Sequence, residues 1–255
     1  MSNKVSLLSE MINNEMNRKS SNNDRDYSYF HPSEFHQCSR LLAYRYVGEE
    51  AVQNITPQLQ RIFDNGHYMH DRYGDYFEKA GILRGYWHCL HRDCETLIGR
   101  DDRYGIKRPD KCPKCSGTSF RYDEVFVEDE NLFFKGRVDG ILDLPDGFFV
   151  IDYKSIFSMQ YKKLTKPLEK HYIQIMIYIM LLDIKAGFLL YENKDSQQIK
   201  IYEVERNEEF IDRVKSRALK LKEMLLNGDM PKRPSSYTKG GKPCKTCPFK
   251  KVCWK

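Results

Sequence analysis

The sequence lacks two features that would direct it into or across a membrane. None of its hydrophobic runs approaches the roughly 20 residues that a membrane-spanning helix requires. Its N-terminal segment lacks the continuous apolar core of a secretory signal peptide. These absences predict a cytoplasmic protein without a membrane partner.

The composition also lacks any extreme. At 255 residues, the chain can bury a core as one large domain or as one domain with small attachments. Charged residues make up 31% and hydrophobic residues 40%, which is typical of a soluble protein. The net charge of +6 permits nucleic-acid binding without establishing it, so the clustering of the cations matters more. Two stretches are rich in lysine, one at residues 162–170 and one at residues 233–255.

Eight cysteines in a chain without a secretion signal are more typical of metal ligands than of disulfides. Four of them, in the spacing CxxxxC and CxxC, lie between residues 86 and 120. They are Cys89, Cys94, Cys112 and Cys115. A CxxC pair places two thiolates on one tight turn, and two such pairs make a closed tetrahedral zinc site. We therefore predict a structural zinc ribbon over residues 86–120, with replacement of one cysteine by His88 or His91 as the alternative.

The C-terminal segment holds three cysteines and lacks a fourth. They are Cys244, Cys247 and Cys253. An iron–sulfur cluster held by four cysteines accepts a ligand that is distant in sequence, and Cys38 is the candidate. Such a cluster would join the two ends of the chain by closing a very long loop. Zinc is the alternative metal, because the spacing does not separate the two.

The strongest pattern for catalysis lies between residues 132 and 156. Residues 132–144 and 148–151 read as strands, and Pro145, Asp146 and Gly147 between them predict the turn of an antiparallel hairpin. Asp139 and Asp152 lie at similar distances from that turn, so they should face each other. Lys154 follows Asp152 by two residues and therefore shares its face of the strand.

Two acids and a lysine at the end of apolar strands are costly to bury without a partner. A hard divalent cation such as Mg²⁺, held by one or two carboxylates beside a substrate phosphate, removes this conflict. The alternative is an ordinary surface hairpin with a salt bridge, which an isolated motif of this length favours. Asp143 lies close to the turn and is expected to be peripheral.

The remaining sequence predicts helices and strands around this hairpin. Residues 1–26 read as a flexible segment with one short amphipathic helix at residues 5–12, and residues 155–170 read as a polar stretch with Pro167. Residues 171–182 favour a buried helix, although their isoleucines would also suit a strand. Glu124 is expected on a surface strand, with an acid beside the metal as the alternative. Helices are predicted over residues 33–47 (with Ser33 as N-cap), 56–80 and 207–227, and strands over residues 121–127 and twice within 185–205.

Together, these motifs resemble a known family. Asp139 followed by a hydrophobic strand carrying Asp152-Tyr153-Lys154 resembles the core of the PD-(D/E)XK nucleases. Three further motifs resemble the RecB-like exonuclease branch. They are Gly66 to His70 (GxxxH), Gln174 to Tyr178 (QxxxY) and Ser33-Glu34-Phe35 ahead of Cys38-Ser39-Arg40. The C-terminal cysteine spacing resembles the iron–sulfur subset that includes AddB and the CRISPR-adaptation nucleases.

The resemblance implies a fold and a cofactor set. It implies one α/β nuclease domain over residues 27–255, with a mixed central sheet flanked by helices. The ribbon at 86–120 would be an insertion, and the cysteines at 240–255 would pair with Cys38 around a [4Fe-4S] cluster. Mg²⁺ or Mn²⁺ would be held by side chains and one backbone carbonyl. These ligands would be His70, Asp139, Asp152 and the carbonyl of Tyr153.

The resemblance also implies roles and partners. Lys154 would position or deprotonate the attacking water, while Gln174 and Tyr178 would align the strand or support the lysine. The substrate would be DNA, as single-stranded or duplex ends, in recombination, repair or replication with a protein partner from those processes. The short chain suggests a standalone or viral enzyme in a bacterial or virus-infected cell. The alternatives are a non-catalytic nucleic-acid-binding module and a redox-sensing regulator.

Overall fold

The computed structural model describes residues 3–19, 25–52 and 56–255, which fold into seven α-helices and ten β-strands. A short 3₁₀ turn, Cys244–Thr246, precedes the last helix. The helices are α1 (Asn3–Lys19), α2 (Ser39–Tyr46), α3 (Pro57–Lys79), α4 (Ser158–Lys163), α5 (Glu169–Leu182), α6 (Glu208–Leu226) and α7 (Lys250–Cys253). None of the helices in these described ranges combines the length and the apolar character needed to cross a bilayer.

The strands form three separate sheets. They are β1 (Leu83–Arg84), β2 (Tyr86–Cys89), β3 (Leu97–Ile98), β4 (Phe120–Asp123), β5 (Val125–Asp129), β6 (Phe134–Val138), β7 (Gly140–Leu144), β8 (Gly147–Ile156), β9 (Ala186–Asn193) and β10 (Ile199–Glu205). The central sheet has the order β1-β7-β8-β9-β10, in which β8 and β9 are parallel and the other pairs antiparallel. The expected α/β fold with a mixed central sheet flanked by helices is confirmed.

Helices cover both faces of the central sheet. On one face, Tyr73 of α3 packs against Tyr153 of β8 in a core cluster of its own. On the other face, Val150 of β8 belongs to the main core together with Ile175 of α5. Successive strand residues point to opposite faces. Asp152 therefore points to the α5 face, as Val150 does, and β8 carries its functional residues toward α5.

The predicted hairpin is present as β7 and β8. The two strands are antiparallel and close at the pair Leu144–Gly147, and Gly147 has a φ of 126° that favours glycine. The single strand expected over residues 132–144 is wrong, because the chain breaks at Asp139 into β6 and β7. The single strand expected over residues 121–127 is wrong for the same reason, because it breaks at Glu124.

These breaks exist because β5 and β6 pair with each other as a separate two-stranded sheet and do not join the neighbouring sheets. Val125, Val127, Phe134 and Val138 are all buried in the main core. The apolar pattern therefore continues through both breaks, and the sequence gives no sign of the change of sheet.

The inserted segment forms a small three-stranded sheet in the order β3-β2-β4. It runs from Tyr86, where β2 begins, to Asp123, where β4 ends. Three of its cysteines, Cys89, Cys94 and Cys112, are buried in a cluster separate from the main core. The segment is thus a structural unit built around its cysteines.

The helix predicted over residues 33–47 is partly wrong. Residues 32–37 form turns, and α2 begins only at Ser39, after Cys38. The guanidinium of Arg217 donates to the backbone carbonyls of Phe35 and Gln37, which removes acceptors that a helix would use. A tertiary contact from α6 therefore delays the start of this helix.

The other predicted elements are mostly confirmed. Helix α3 begins after Thr56, whose side chain caps the helix by accepting from the backbone N–H of Leu59. Residues 171–182 are helical, as favoured, within α5. The polar stretch 155–170 contains α4, which was not predicted. Helix α1 reaches Lys19, well beyond the short helix expected at residues 5–12, whereas residues 20–24 of that segment lie outside the described residues.

Candidate active site

The two strand breaks bring three potential ligands together. Val125 and Val138 form the last pair of the antiparallel β5–β6 ladder. The residues just beyond this pair, Glu124 and Asp139, therefore lie side by side. Helix α3 runs past this point and places His70 Nδ1 3.5 Å from Asp139 Oδ2. The ligand atoms of His70, Glu124 and Asp139 all lie within 4.8 Å of one another. The expectation that Glu124 is a surface strand residue is wrong, because it lies in this cluster.

The electrostatics of this cluster favour a cation. Burial, together with the negative charge of Asp139, raises the pKa of Glu124 to about 7. Carboxylate oxygens suit hard divalent ions such as Mg²⁺ and Mn²⁺, and an imidazole nitrogen is a further ligand for first-row metals. The three side chains therefore offer a mixed donor set for one divalent ion.

Asp152 lies next to this cluster and is fully buried. Its Oδ1 accepts hydrogen bonds from Lys154 Nζ at 2.9 Å and from Gln174 Nε2 at 2.8 Å. Its Oδ2 is 2.7 Å from Lys154 Nζ, but it has no hydrogen-bond partner among the described residues. The contact between Nζ and Oδ2 is an ion pair, and the second lone pair of this buried carboxylate oxygen remains available. A buried acceptor with a free lone pair is suited to a metal ion.

Burial and a charge partner set the protonation of this pair. Burial raises the pKa of Asp152 to about 7, and the carboxylate of Asp139 adds to the shift, while Lys154 opposes it. Burial lowers the pKa of Lys154, but attraction from Asp152, Asp139 and Glu124 outweighs it and the pKa is raised. The salt bridge of the alternative interpretation exists, but it is buried under α5 and does not lie on a surface hairpin.

Gln174 and Tyr178 share one face of α5, as their spacing predicts. Gln174 donates to Asp152 Oδ1, the oxygen that also accepts from Lys154, so it supports the lysine through this shared carboxylate. The hydroxyl of Tyr178 donates to the backbone carbonyl of Arg137 at 2.7 Å. This bond fixes the end of β6 just before the break at Asp139, so Tyr178 positions the cluster through the backbone.

The carboxylate of Asp139 is itself held in place. Its Oδ2 accepts from the backbone N–H of Tyr153 at 2.9 Å, and its backbone carbonyl accepts from the hydroxyl of Tyr122 at 3.1 Å. The ring of Tyr153 also contacts the ring of His70, with centroids 5.3 Å apart. Metal ligation by the Tyr153 carbonyl stays a prediction. Tyr122 was missed by the sequence analysis, because one tyrosine in a strand carries no signal.

Two cavities meet at the cluster. One has a volume of about 500 Å³ and contains cationic side chains, and the other has a volume of about 460 Å³ and contains mainly acidic ones. The cationic side chains of the first cavity are Arg25, Lys135, Arg137 and Lys154, beside the acidic Asp26, and the second cavity contains Asp71, Asp75, Glu78 and Asp123, with Arg121. His70, Glu124 and Asp139 line both cavities. A phosphate backbone would be attracted to the first cavity and repelled by the second.

The four ribbon cysteines form a compact group. Cys89 Sγ and Cys115 Sγ are 3.5 Å apart, Cys94 Sγ and Cys112 Sγ are 3.6 Å apart, and all four sulfurs lie within 4.8 Å of one another. Neither His88 nor His91 belongs to this group among the described residues. The nitrogen Nε2 of His88 instead contacts Asp123 Oδ2 at 3.2 Å. The cysteine cluster could bind a metal without histidine.

The other four cysteines surround a different cavity. Cys38, at the start of α2, and the C-terminal cysteines line one cavity of about 380 Å³. The latter are Cys244, Cys247 and Cys253. In the part of the chain that the structure describes, no three of these sulfurs approach as closely as the ribbon sulfurs do. The fold thus brings the two ends of the chain together around a wider space.

Comparison with known proteins agrees with this architecture. A family model described as the PD-(D/E)XK nuclease superfamily matches residues 27–254. The crystal structure of SSO0001 is similar with a TM-score of 0.51 and 16% identity, over 97% of this chain and 96% of that one. At that identity the likeness concerns the fold alone. No significant match is found among curated protein sequences.

Two exonuclease structures are also similar. The alkaline exonuclease LHK-Exo from Laribacter hongkongensis has a TM-score of 0.46 and 11% identity, over 79% of this chain and 90% of that one. A phage related exonuclease from Haemophilus somnus 129PT has a TM-score of 0.30 and 19% identity, over 40% of this chain and 60% of that one. The family model, which spans nearly the whole chain, decides the assignment. This chain therefore belongs to the PD-(D/E)XK nuclease superfamily.

Proposed function

We propose that the protein is a metal-dependent deoxyribonuclease that degrades DNA from its ends. The observation that carries this proposal is the convergence of His70, Glu124 and Asp139 beside the buried Asp152–Lys154 pair. These residues come from four separate elements and meet where a basic cavity begins. The motifs that resemble the RecB-like exonuclease branch support exonuclease action.

The donor set fits a divalent cation, Mg²⁺ or Mn²⁺. His70, Glu124 and Asp139 would hold the ion, with Asp152 Oδ2 and the carbonyl of Tyr153 as further ligands. Two observations support the fit, namely the buried Oδ2 without a hydrogen bond and the raised pKa values of Glu124 and Asp152, which burial and then the nearby Asp139 cause. When bound, such an ion polarises the phosphate and lowers the pKa of its bound water.

The protein's own residues supply positioning and charge. Asp152 holds the Lys154 ammonium at the edge of the basic cavity, where its remaining protons can orient water or stabilise charge on the phosphate. Gln174 keeps the Asp152 carboxylate in place. Tyr178 fixes β6 and thereby the approach to Asp139. The basic cavity would bind the backbone of the DNA strand on the side of Lys135.

Cleavage of end-labelled DNA tests this function. Single-stranded, duplex and circular DNA are incubated with the protein and with Mg²⁺ or Mn²⁺, for the wild type and for Asp139→Asn, Lys154→Ala and the control Lys220→Ala. We expect the wild type and the control, which alters an exposed lysine of α6, to release short products from ends. We expect the other two to bind DNA but to cut at least about 100-fold more slowly.

Other outcomes would reject the proposal. Cutting of circular DNA would refute strict action on ends and indicate an endonuclease. No cutting with either metal, or equal cutting by Asp139→Asn, would leave the non-catalytic nucleic-acid-binding module as the better description. A separate readout is Mn²⁺ binding measured by calorimetry, which should weaken in Asp139→Asn and remain unchanged in Lys220→Ala.

We also propose different metals for the two cysteine sites. Tetrahedral zinc with Zn–S bonds of about 2.3 Å requires sulfurs about 3.8 Å apart, which the ribbon sulfurs approach. The C-terminal cavity is wider, which favours a [4Fe-4S] cluster over one ion. The guanidinium groups of Arg40 and Arg233 line that cavity and would balance the negative thiolates.

Metal analysis of anaerobically purified protein tests the partition. We expect about four iron atoms and about one zinc ion per chain, from one four-iron cluster and one ribbon site. Cys253→Ser should lose the iron and keep the zinc, whereas Cys112→Ser should do the reverse. Zinc at both sites without iron would refute the cluster.

A further inference from the structure

A second cleft lies beside the catalytic cluster and has no role in the chemistry described above. Its volume is about 440 Å³, and it lies between α3 and the ends of β8 and β9. Tyr68 and Phe157 form part of its walls, with side chains that are 69% and 60% exposed. We call this site the aromatic cleft. Large aromatic rings with this exposure gain from a partner that covers them.

The aromatic cleft adjoins the catalytic cluster across the edge of β8. On α3, Met69 of the cleft precedes His70, and on β8, Ser155 of the cleft follows Lys154 and therefore lies on the opposite face, toward α3. Strand β8 pairs with β7 only as far as Ile151, whereas its pairing with β9 continues to Ile156. A chain that leaves the basic cavity across this edge of β8 would therefore enter the aromatic cleft.

The charge of the aromatic cleft is complementary to a phosphate backbone. Lys194 Nζ lies 4.8 Å from the centre of the Phe157 ring, on one of its faces. The only acidic side chain that lines the cleft among the described residues, Glu192, is buried and paired with Arg72. Glu192 also accepts a hydrogen bond from the hydroxyl of Tyr73 at 2.6 Å. Exposed rings beside a lysine, with the acid neutralised by Arg72, are the components of a single-strand binding site.

We propose that Tyr68 and Phe157 stack unpaired nucleobases of single-stranded nucleic acid that extends from the catalytic cluster, an inference that rests on the proposed nuclease function. Inside a duplex, each base is already stacked between its neighbours, so only an unpaired base offers a free face. The cleft therefore selects single strands over intact duplex. Lys194 contacts a phosphate that connects the stacked bases, while Arg72 keeps Glu192 neutralised.

Binding measurements under conditions without cleavage test whether the aromatic cleft stacks bases. Fluorescence anisotropy with Ca²⁺ in place of Mg²⁺ gives Kd for a labelled single strand of about 12 nucleotides, a length within the range of single-strand sites. Replacing both rings, in Tyr68→Ala/Phe157→Ala, should weaken binding of the single strand by about tenfold or more. Tyr68→Phe should retain wild-type affinity. Tyr76→Ala, which removes another exposed ring of α3 outside the cleft, should also bind normally.

Single strands with abasic sites make the test independent of the protein's folding. Wild-type protein should bind less tightly when abasic sites replace the nucleotides that occupy the cleft. The double variant should show no further loss with the same oligonucleotide, because both changes remove the same contact. The proposal would be overturned if the wild type bound abasic and intact strands equally. It would also be overturned if the double variant bound intact strands as tightly as the wild type does.

These results separate this inference from the proposed function. If Asp139→Asn and the wild type both fail to cut DNA, but abasic strands still bind more weakly than intact ones, base stacking in the aromatic cleft is supported and the nuclease function fails. If DNA is cut and replacing the two rings does not change binding, the nuclease function is supported and base stacking in the aromatic cleft is refuted.

Discussion

His171 offers the sharpest test of the electrostatics around the site. Its side chain is buried on α5, and its Nδ1 lies 3.0 Å from the hydroxyl of Tyr191. That hydroxyl accepts from the backbone N–H of Leu168, so its own proton is free to be donated to Nδ1. Burial, followed by the positive charges of Lys154 and Lys170, lowers the pKa of His171 to about 2. The imidazole is therefore neutral in the folded protein throughout the physiological range.

This lowered pKa makes stability depend on pH in a defined direction. The unfolded chain binds a proton at His171 below its usual pKa of about 6.5, whereas the folded chain does not. The contribution is therefore present above that value and is lost as pH falls toward 2. Between pH 7 and pH 5, this one group should lower the free energy of unfolding by about 2 kcal/mol. Any folded pKa below about 4 gives nearly the same result.

Urea unfolding at pH 7 and pH 5 measures the effect, with His171→Asn as the variant. Asparagine keeps an oxygen that can accept from Tyr191 but has no titrating group. Asp152 and Glu124 act in the opposite direction, because their raised pKa values favour the folded state at lower pH, but they are present in both proteins. The wild type should therefore lose about 2 kcal/mol more than His171→Asn between the two pH values. An equal pH dependence of the two proteins would refute the reasoning.

Three further predictions concern packing and metals. At Gly187, a Cβ would lie 2.8 Å from a backbone oxygen of β8, so Gly187→Ala should lower the free energy of unfolding by about 1–3 kcal/mol. Gly66→Ala, where a Cβ meets open space on α3, should instead raise it by about 0.5–1 kcal/mol, and equal effects in denaturant unfolding would contradict this contrast. Glu124→Gln should weaken Mn²⁺ binding at least about tenfold by calorimetry, and unchanged binding would exclude Glu124 as a ligand. Cys112→Ser, or chelation of the ribbon metal, should shift the fluorescence of the fully buried Trp87 to longer wavelength, and an unchanged spectrum would show that the metal does not hold the ribbon together.

Local patterns in the sequence predicted many of the helices, strands and turns. The apolar run of α5, the pattern of residues 56–80 and the turn at Gly147 are short-range signals, and each predicted an element that is present. The pairing of Asp152 and Lys154 on one face also followed from the period of a strand alone. These features depend on neighbours within a few residues, so the sequence contains what is needed to read them.

Contacts between distant segments decided the features that the sequence analysis missed. The turns before α2 depend on Arg217 of α6, which takes the carbonyls that a helix would have used. The strand breaks depend on the separate pairing of β5 with β6, which the continuous apolar pattern conceals. Hydrophobic periodicity does not reveal such a strand break, because a continuous strand and a broken one bury the same residues.

The sequence by itself determined the chemical inventory of the protein: the acids and lysine of one hairpin, the histidine of one helix and two sets of four cysteines. The tertiary structure decided which of these residues meet. It brought Glu124 to the side of Asp139 and placed Gln174 on Asp152. The physical reason is that periodicity fixes the face of an element on which a side chain lies. The position where two elements cross is fixed instead by how the sheets and helices pack against one another.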